Sequence, residues 1–246
     1  MSDSPSYASQ TTQRGSFLPD LQELYLEAPY DYQNYLCFDR SDVNLRFLKL
    51  RRITLDSKIV LGAVSEMNDR EENLETLLPI THKLFSPSNM PNLKHLAFQN
   101  GYKPRAQLLF AQILPQIDSL AICKGYNTPT TLFQNFVNLR HLSLDIRGDE
   151  AAKVFDHDHG GRDLESLHLT ARMLGENKEL LPRLIRIAKG EDPKYRIKRI
   201  IIYGKIIIDG RRKKIETKYK SLVNGLASFE WREDQDCAPF EIFDGR

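Results

Sequence analysis

The stretch Asn138-Leu139-Arg140-His141-Leu142-Ser143-Leu144 sets leucines at a step of three and then a step of two. The frame is apolar, two free, apolar, one free, apolar. Working outward, it returns downstream as Leu164/Leu167/Leu169, Ile197/Ile200/Ile202 and Leu226/Phe229/Trp231. Upstream it returns as Ile117/Leu120/Ile122, Leu93/Leu96/Phe98, Leu45/Leu48/Leu50 and Leu21/Leu24/Leu26. Successive copies lie about 22 to 33 residues apart, a spacing that belongs to stacked repeats. The interval from Leu45 to Leu93 is about twice as long, which leaves room either for a degenerate copy at Leu74/Leu77/Pro79, spoiled as a strand by its proline, or for an insertion over about 56-89. The charge run Asp69-Arg70-Glu71-Glu72 and a helical look from Leu74 to Phe85 favour the insertion.

The segments between copies carry helix signals. Pro19, Pro91 and Pro115 stand at the same phase before three copies, where a proline ends the preceding helix. Pro104 to Ile113 sets Ala106, Leu109, Phe110 and Ile113 on one helical face, Thr128-Pro129 reads as a cap with a first-turn proline, and Asp149 as a cap for Glu150 to Phe155. Glu179 to Lys189, with Leu180, Leu184 and Ile187 on one side and Gly190 beyond, completes the alternation. Strands that return in one direction after each helix form a parallel sheet. The expected fold class is therefore α/β, one curved parallel sheet of about eight strands over 17-232, with helices on the convex side.

In its triplets and period the chain resembles the leucine-rich-repeat proteins, solenoids of the ribonuclease-inhibitor-like kind. It departs from them where they place an asparagine or cysteine after the triplet, since Pro29, Ile53, Gly101, Gly125, Arg147, Arg172, Lys205 and Asp234 stand there. Long irregular repeats without that ladder look like the divergent repeat region of fungal F-box proteins, although no F-box is recognisable in this sequence. The resemblance implies a protein-binding scaffold and, through its F-box side, a substrate-recognition module of a ubiquitin-ligase adaptor.

By strand alternation the first, fourth and sixth positions face the core and the third and fifth the open side. Candidate partner contacts follow from this frame. The third positions supply Phe47, His95, His141 and Arg199, the fifth Tyr25, Lys49 and His168, and the residues just past the strand Arg51, Tyr203 and Arg232. Such a face is broad and open, which fits a protein partner and excludes the enclosed site of a small-molecule substrate. Aromatic and arginine side chains anchor interfaces most often, so its two flanks are the expected anchors, with Trp231 assigned to the core by its sixth position.

Composition bounds the remaining function classes. The 246 residues are 41% hydrophobic and 28% charged, as in folded proteins, with net charge +2. Met1 to Ser16 is rich in Ser, Thr and Gln and reads as a disordered tail without a secretory hydrophobic block, and residues 233-246 read as a tail or cap. The longest apolar runs, Ile200 to Tyr203 and Ile206 to Ile208, fall short of the roughly 20 residues of a membrane span. Cys37, Cys123 and Cys237 form no CxxC pair and are expected as reduced fillers, which points to cytoplasm or nucleus.

The motif His157-Asp158-His159-Gly160-Gly161 could turn two imidazoles one way, but further ligands at a metal-site spacing are missing, so no metal or other cofactor is expected. No nucleophile elbow, phosphate-binding glycine loop, dinucleotide fingerprint or HExxH helix occurs, so the expected function is non-catalytic binding. Charge distribution supplies the alternative. Lys178 to Lys220 holds fifteen Lys or Arg against five Asp or Glu. Its densest part, Arg211, Arg212, Lys213 and Lys214, follows the turn pair Asp209-Gly210 and could ride on a hairpin over 205-215. Nucleic-acid binding through 194-220 stands beside a solvated insertion as the reading of that segment.

Overall fold

A computed structural model describes residues 20-26, 47-56, 85-99, 110-125, 132-156, 163-192, 194-204, 221, 226 and 228-232. Its strands are β1 (Glu23–Leu26), β2 (Arg52–Asp56), β3 (His95–Gln99), β4 (Ser119–Gly125), β5 (His141–Ile146), β6 (Asp163–Thr170), β7 (Arg196–Tyr203) and β8 (Phe229–Arg232). All eight join one sheet in sequence order, and every neighbouring pair is parallel. The sheet is not strongly curled, so the expected curved sheet with a convex helix side reduces to a parallel sheet with helices on its core side. Those helices are α1 (Leu132–Asn135), α2 (Gly148–Asp156), α3 (Ala171–Glu176) and α4 (Leu180–Ala188), with a 3-10 turn at Leu114–Gln116.

The register aligns the apolar frame across the sheet. Leu96, Leu120, Leu142, Leu167 and Ile200 pair in turn, as do Phe98, Ile122, Leu144, Leu169 and Ile202. These side chains share one cluster with Ala151, Val154 and Phe155 of α2, Met173 and Leu174 of α3 and Leu180, Leu181 and Leu184 of α4. Burial of this ladder against the helices is the main stabilising term of the fold.

Pairing corrects the second copy. Leu24 opposes Ile53 and Ile53 opposes Leu96, so the triplet is Leu50/Ile53/Leu55 in place of Leu45/Leu48/Leu50. Leu50 belongs to both triplets, and the β-branched Ile53 and Thr54 suit a strand better than Leu48-Lys49. Leu48 is 40% exposed in a turn, while Ile53 is fully buried. Phe47 accordingly leaves the open side and packs against the core, and Lys49 lies in the same turn with Nζ 2.5 Å from Asp20 Oδ1. Strands β2 and β3 are direct neighbours despite the long interval between them.

Two glycines fix helix ends. Gly190, with φ +72°, follows α4 in the left-handed region that closes a helix. Gly148 opens α2 where a Cβ would lie 2.3 Å from the Met173 carbonyl oxygen, and its N–H donates to Glu176 Oε2 at 2.7 Å. Only glycine lets α2 and α3 approach so closely. Helix α2 therefore begins at Gly148, with Asp149 inside its first turn, where the helix dipole favours a carboxylate, instead of capping it.

Candidate functional site

The three-residue step between the first and fourth positions has a repeated hydrogen-bond cause. The Gln22 carbonyl accepts from Arg51 and Arg52 N–H at 2.8 and 3.2 Å, and the Arg51 carbonyl from Lys94 and His95 at 3.1 and 3.0 Å. Lys94 serves Asp118 and Ser119 in the same way, Asp118 serves Arg140 and His141, and Arg140 serves Glu165 and Ser166. Each carbonyl is thus shared by two consecutive N–H groups of the next strand while the register stays one-to-one, and the two residues of each pair lie off the apolar frame. The second positions therefore form a row of their own: Arg51, Lys94, Asp118, Arg140, Glu165 and Lys198. It touches the third row, for Asp118 Oδ1 lies 3.5 Å from His95 Nδ1 and Glu165 Oε2 lies 3.7 Å from His141 Nε2.

The rows differ sharply in exposure. Arg51, Lys94, Arg140 and Lys198 are exposed, as are Glu23 and Arg199 of the third row. From β2 to β7 the fifth row, expected to lie open, is buried: Thr54, Ala97, Ala121, Ser143, His168 and Ile201 are at most 3% exposed, while Glu230 of β8 keeps partial exposure. Tyr203, just past β7, is also buried, whereas Arg232 keeps partial exposure. Tyr25 pairs with Thr54 at the backbone, and its side chain lies outside the described atoms.

A file of hydrogen bonds crosses from β5 to β7. His141 Nδ1 meets Ser166 Oγ at 2.9 Å, Ser166 Oγ meets His168 Nε2 at 3.0 Å, and His168 Nδ1 meets the Tyr203 hydroxyl at 2.8 Å. Burial lowers the His168 pKa to about 4, helped by the positive charge of Arg199, so the ring is neutral at pH 7. Burial also lowers the pKa of His95 and His141, against the pull of Asp118 and Glu165. Neutral rings carry one proton each, and the negative charge of Glu165, 3.7 Å from His141 Nε2, favours the proton on that nitrogen. His141 is then protonated at Nε2 toward Glu165, Ser166 donates to His141 Nδ1, His168 Nε2–H donates to Ser166, and Tyr203 donates to His168 Nδ1. Each polar group in the file is satisfied, as burial demands.

At the β8 end, Arg199 Nη2 and Arg232 Nε each donate to Glu230 at 2.6 Å. These bonds, Arg232 first, hold the Glu230 carboxyl below its ordinary pKa. The Tyr203 ring stacks on His168 at 5.7 Å between centroids, and the Arg232 guanidinium sits 5.6 Å from the centre of the same ring. His141, His168, Arg199, Tyr203 and Arg232 are thus brought together, while His95 sits apart beside Arg52 and Asp118. Alternation alone hides the second row, so Lys94, Arg140 and Lys198 were not among the sequence candidates, and Arg51 joins that row through a different position than expected. A run of two consecutive polar residues after the first apolar position, present in the first seven copies once the second is read from Leu50, is the signal that marks it.

Arg211, Arg212, Lys213 and Lys214, the hairpin over 205-215 and His157 to Gly161 lie outside the described residues. Among the described residues, no three His, Cys, Asp or Glu side chains gather as a metal site needs, and no helix is long and apolar enough to cross a membrane. Comparison with known protein families, with curated proteins and with solved structures finds no match.

Proposed function

We propose that this chain is a non-catalytic protein-interaction scaffold of the leucine-rich-repeat kind, binding a protein partner on the open side of its sheet. One observation carries the reading: equivalent residues of eight consecutive parallel strands stand in aligned rows. At about 4.8 Å per strand such rows extend about 34 Å, the scale of a protein interface. Because the middle row is buried, as are Ser119 and Ser166 of the third, the partner meets the second row, the exposed members of the third and the ends of the strands. The resemblance to fungal F-box repeat proteins adds a setting, substrate recognition within a ubiquitin-ligase adaptor.

Photo-crosslinking tests the reading. Cys123, half-buried past the fourth strand's fifth position, takes a photo-reactive maleimide in a chain carrying Cys37→Ser and Cys237→Ser. A second chain carries the label on the helix side through Lys178→Cys, with Cys123→Ser added. Partner adducts in extracts of the source organism are expected from Cys123 and not from the helix-side label. Equal adducts from both, or adducts from the helix side alone, overturn the proposal.

A further inference from the structure

The geometry points to an acidic, extended protein segment, with its carboxylates separated by neutral residues, as the ligand of the row formed by Arg51, Lys94, Arg140 and Lys198. This inference rests on the scaffold reading and names the chemistry of its partner. The first ground is charge. Along the second and third rows from β1 to β7, Arg51, Arg52, Lys94, Arg140, Lys198 and Arg199 outnumber Glu23, Asp118 and Glu165. The histidines among them are neutral at pH 7 and subtract nothing. The cations are also accessible: Arg140 and Lys198 side chains are 63% and 74% exposed.

The second ground is spacing. The row from Arg51 to Glu165 is held by the shared-carbonyl ladder and Lys198 is set beside Glu165 by the β6–β7 register, so its members advance with the strands, one per about 4.8 Å. From β2 to β7 that is about 24 Å, which an extended peptide at about 3.3 Å per residue covers with roughly eight residues. The cations do not run without interruption. Asp118 stands between Lys94 and Arg140, and Glu165 stands between Arg140 and Lys198, 3.5 Å from the first and 3.7 Å from the second. A ligand with charge at every unit would press anions on Asp118 and Glu165, whereas a peptide with a carboxylate at every third residue, about 10 Å apart, sets its carboxylates against Lys94, Arg140 and Lys198 and neutral residues against Asp118 and Glu165.

The same interruption argues against a nucleic acid, whose every nucleotide carries a phosphate. Base stacking has little to use, because Tyr203, the aromatic residue of the open side whose side chain is described, is buried. The third ground is that the row costs the fold little to keep. Its ion pairs are solvent-screened and weak, so bringing a carboxylate from a partner replaces water and rearranges Glu165 without breaking the core.

The test uses the full chain and a fluorescein-labelled peptide of three Glu-Ser-Ser repeats, followed by fluorescence anisotropy. Binding at low ionic strength is expected, weakening as salt shortens the screening length. Arg140→Glu with Lys198→Glu is expected to weaken it about tenfold or more, and Lys178→Glu with Arg186→Glu on the helix side to change it less than about twofold. Circular dichroism checks that each variant is folded. If charge reversal unfolds the chain, Arg140→Gln with Lys198→Gln carries the comparison.

Absent binding, an equal loss from the helix-side pair, or tighter binding of an eight-nucleotide RNA overturns the inference. Failure here with adducts intact at Cys123 leaves the scaffold reading standing without its acidic ligand. Peptide binding at the row with partner adducts only on the helix side removes the scaffold reading instead.

Discussion

Two rows on the same side of one sheet have opposite characters. The fifth row, running through Thr54, Ala97, Ala121, Ser143, His168 and Ile201, is buried, while the second row, running through Arg51, Lys94, Arg140 and Lys198, stands in solvent. They are separated by three residues along each strand. The lesson is that facing away from the hydrophobic core does not make a residue available, and that the open side divides into a stabilising middle and a charged margin. If so, substitutions in the two rows should separate stability from recognition. The largest cost should fall on Ile201, fully buried between His168 and Glu230. Ile201→Ala is expected to lose about 2–5 kcal/mol in urea denaturation, the usual range for emptying a packed site. A loss under about 1 kcal/mol would mean that Ile201 meets water, and the contrast between the rows would collapse.

Acid should attack the middle row next. The His168 pKa is lowered from 6.5 to about 4 in the folded chain, so between those values the unfolded chain binds a proton that the folded chain refuses. Stability then rises with pH across that window. Equivalently, the contribution is fully present above pH 6.5 and is lost as pH falls toward about 4. The size is of order 3 kcal/mol, from about 1.4 kcal/mol per unit. Urea midpoints measured from pH 7 to pH 4 should fall, and His168→Gln should flatten part of that fall, leaving the shares of His95 and His141, whose shifts have the same sign. A variant with the same slope as the parent would show that His168 is hydrated.

Removing only the hydroxyl at the end of the file is a smaller step. Tyr203→Phe keeps the ring stacked on His168 and the Arg232 contact, but strips the donor from His168 Nδ1. The expected cost is about 1–2 kcal/mol, the range for a buried acceptor left without its partner. A neutral result would place a water at His168 Nδ1 and weaken the claim that the file is closed.

The sequence showed the ladder because leucine-rich triplets repeat in fixed phase, and seven of the eight strands fall on the expected frame. The exception, β2, came from the shared Leu50, where leucine identity competed with the β-branched pair Ile53-Thr54. Helix α3 follows β6 with no proline, glycine or capping residue to announce it, for Thr170 makes no side-chain cap bond. The site was less legible than the fold. Alternation predicts which side of a strand a residue takes, but the second row depends on two N–H groups sharing a carbonyl of the neighbouring strand, and fifth-row burial depends on side chains from other strands. Neither is a property of one segment. Lys94, Arg140 and Lys198 therefore looked like ordinary surface charges until register joined them.

The smallest effect belongs to that charged row, and its smallness is what sharpens the contrast. Lys198 is 74% exposed on its side chain and meets Glu165 at 3.7 Å, a distance at which water screens the pair. Lys198→Ala should therefore change stability by less than about 0.5 kcal/mol, as exposed ion pairs generally do. Glu165 keeps Arg140 at 3.5 Å and His141 at 3.7 Å after the change, so its carboxylate is not stranded. A stability loss comparable to that of Tyr203→Phe would mean that Lys198 belongs to the buried file through Glu165, and the margin would then be part of the fold's support. With stability unchanged and peptide affinity reduced, the two rows differ in role as they differ in exposure.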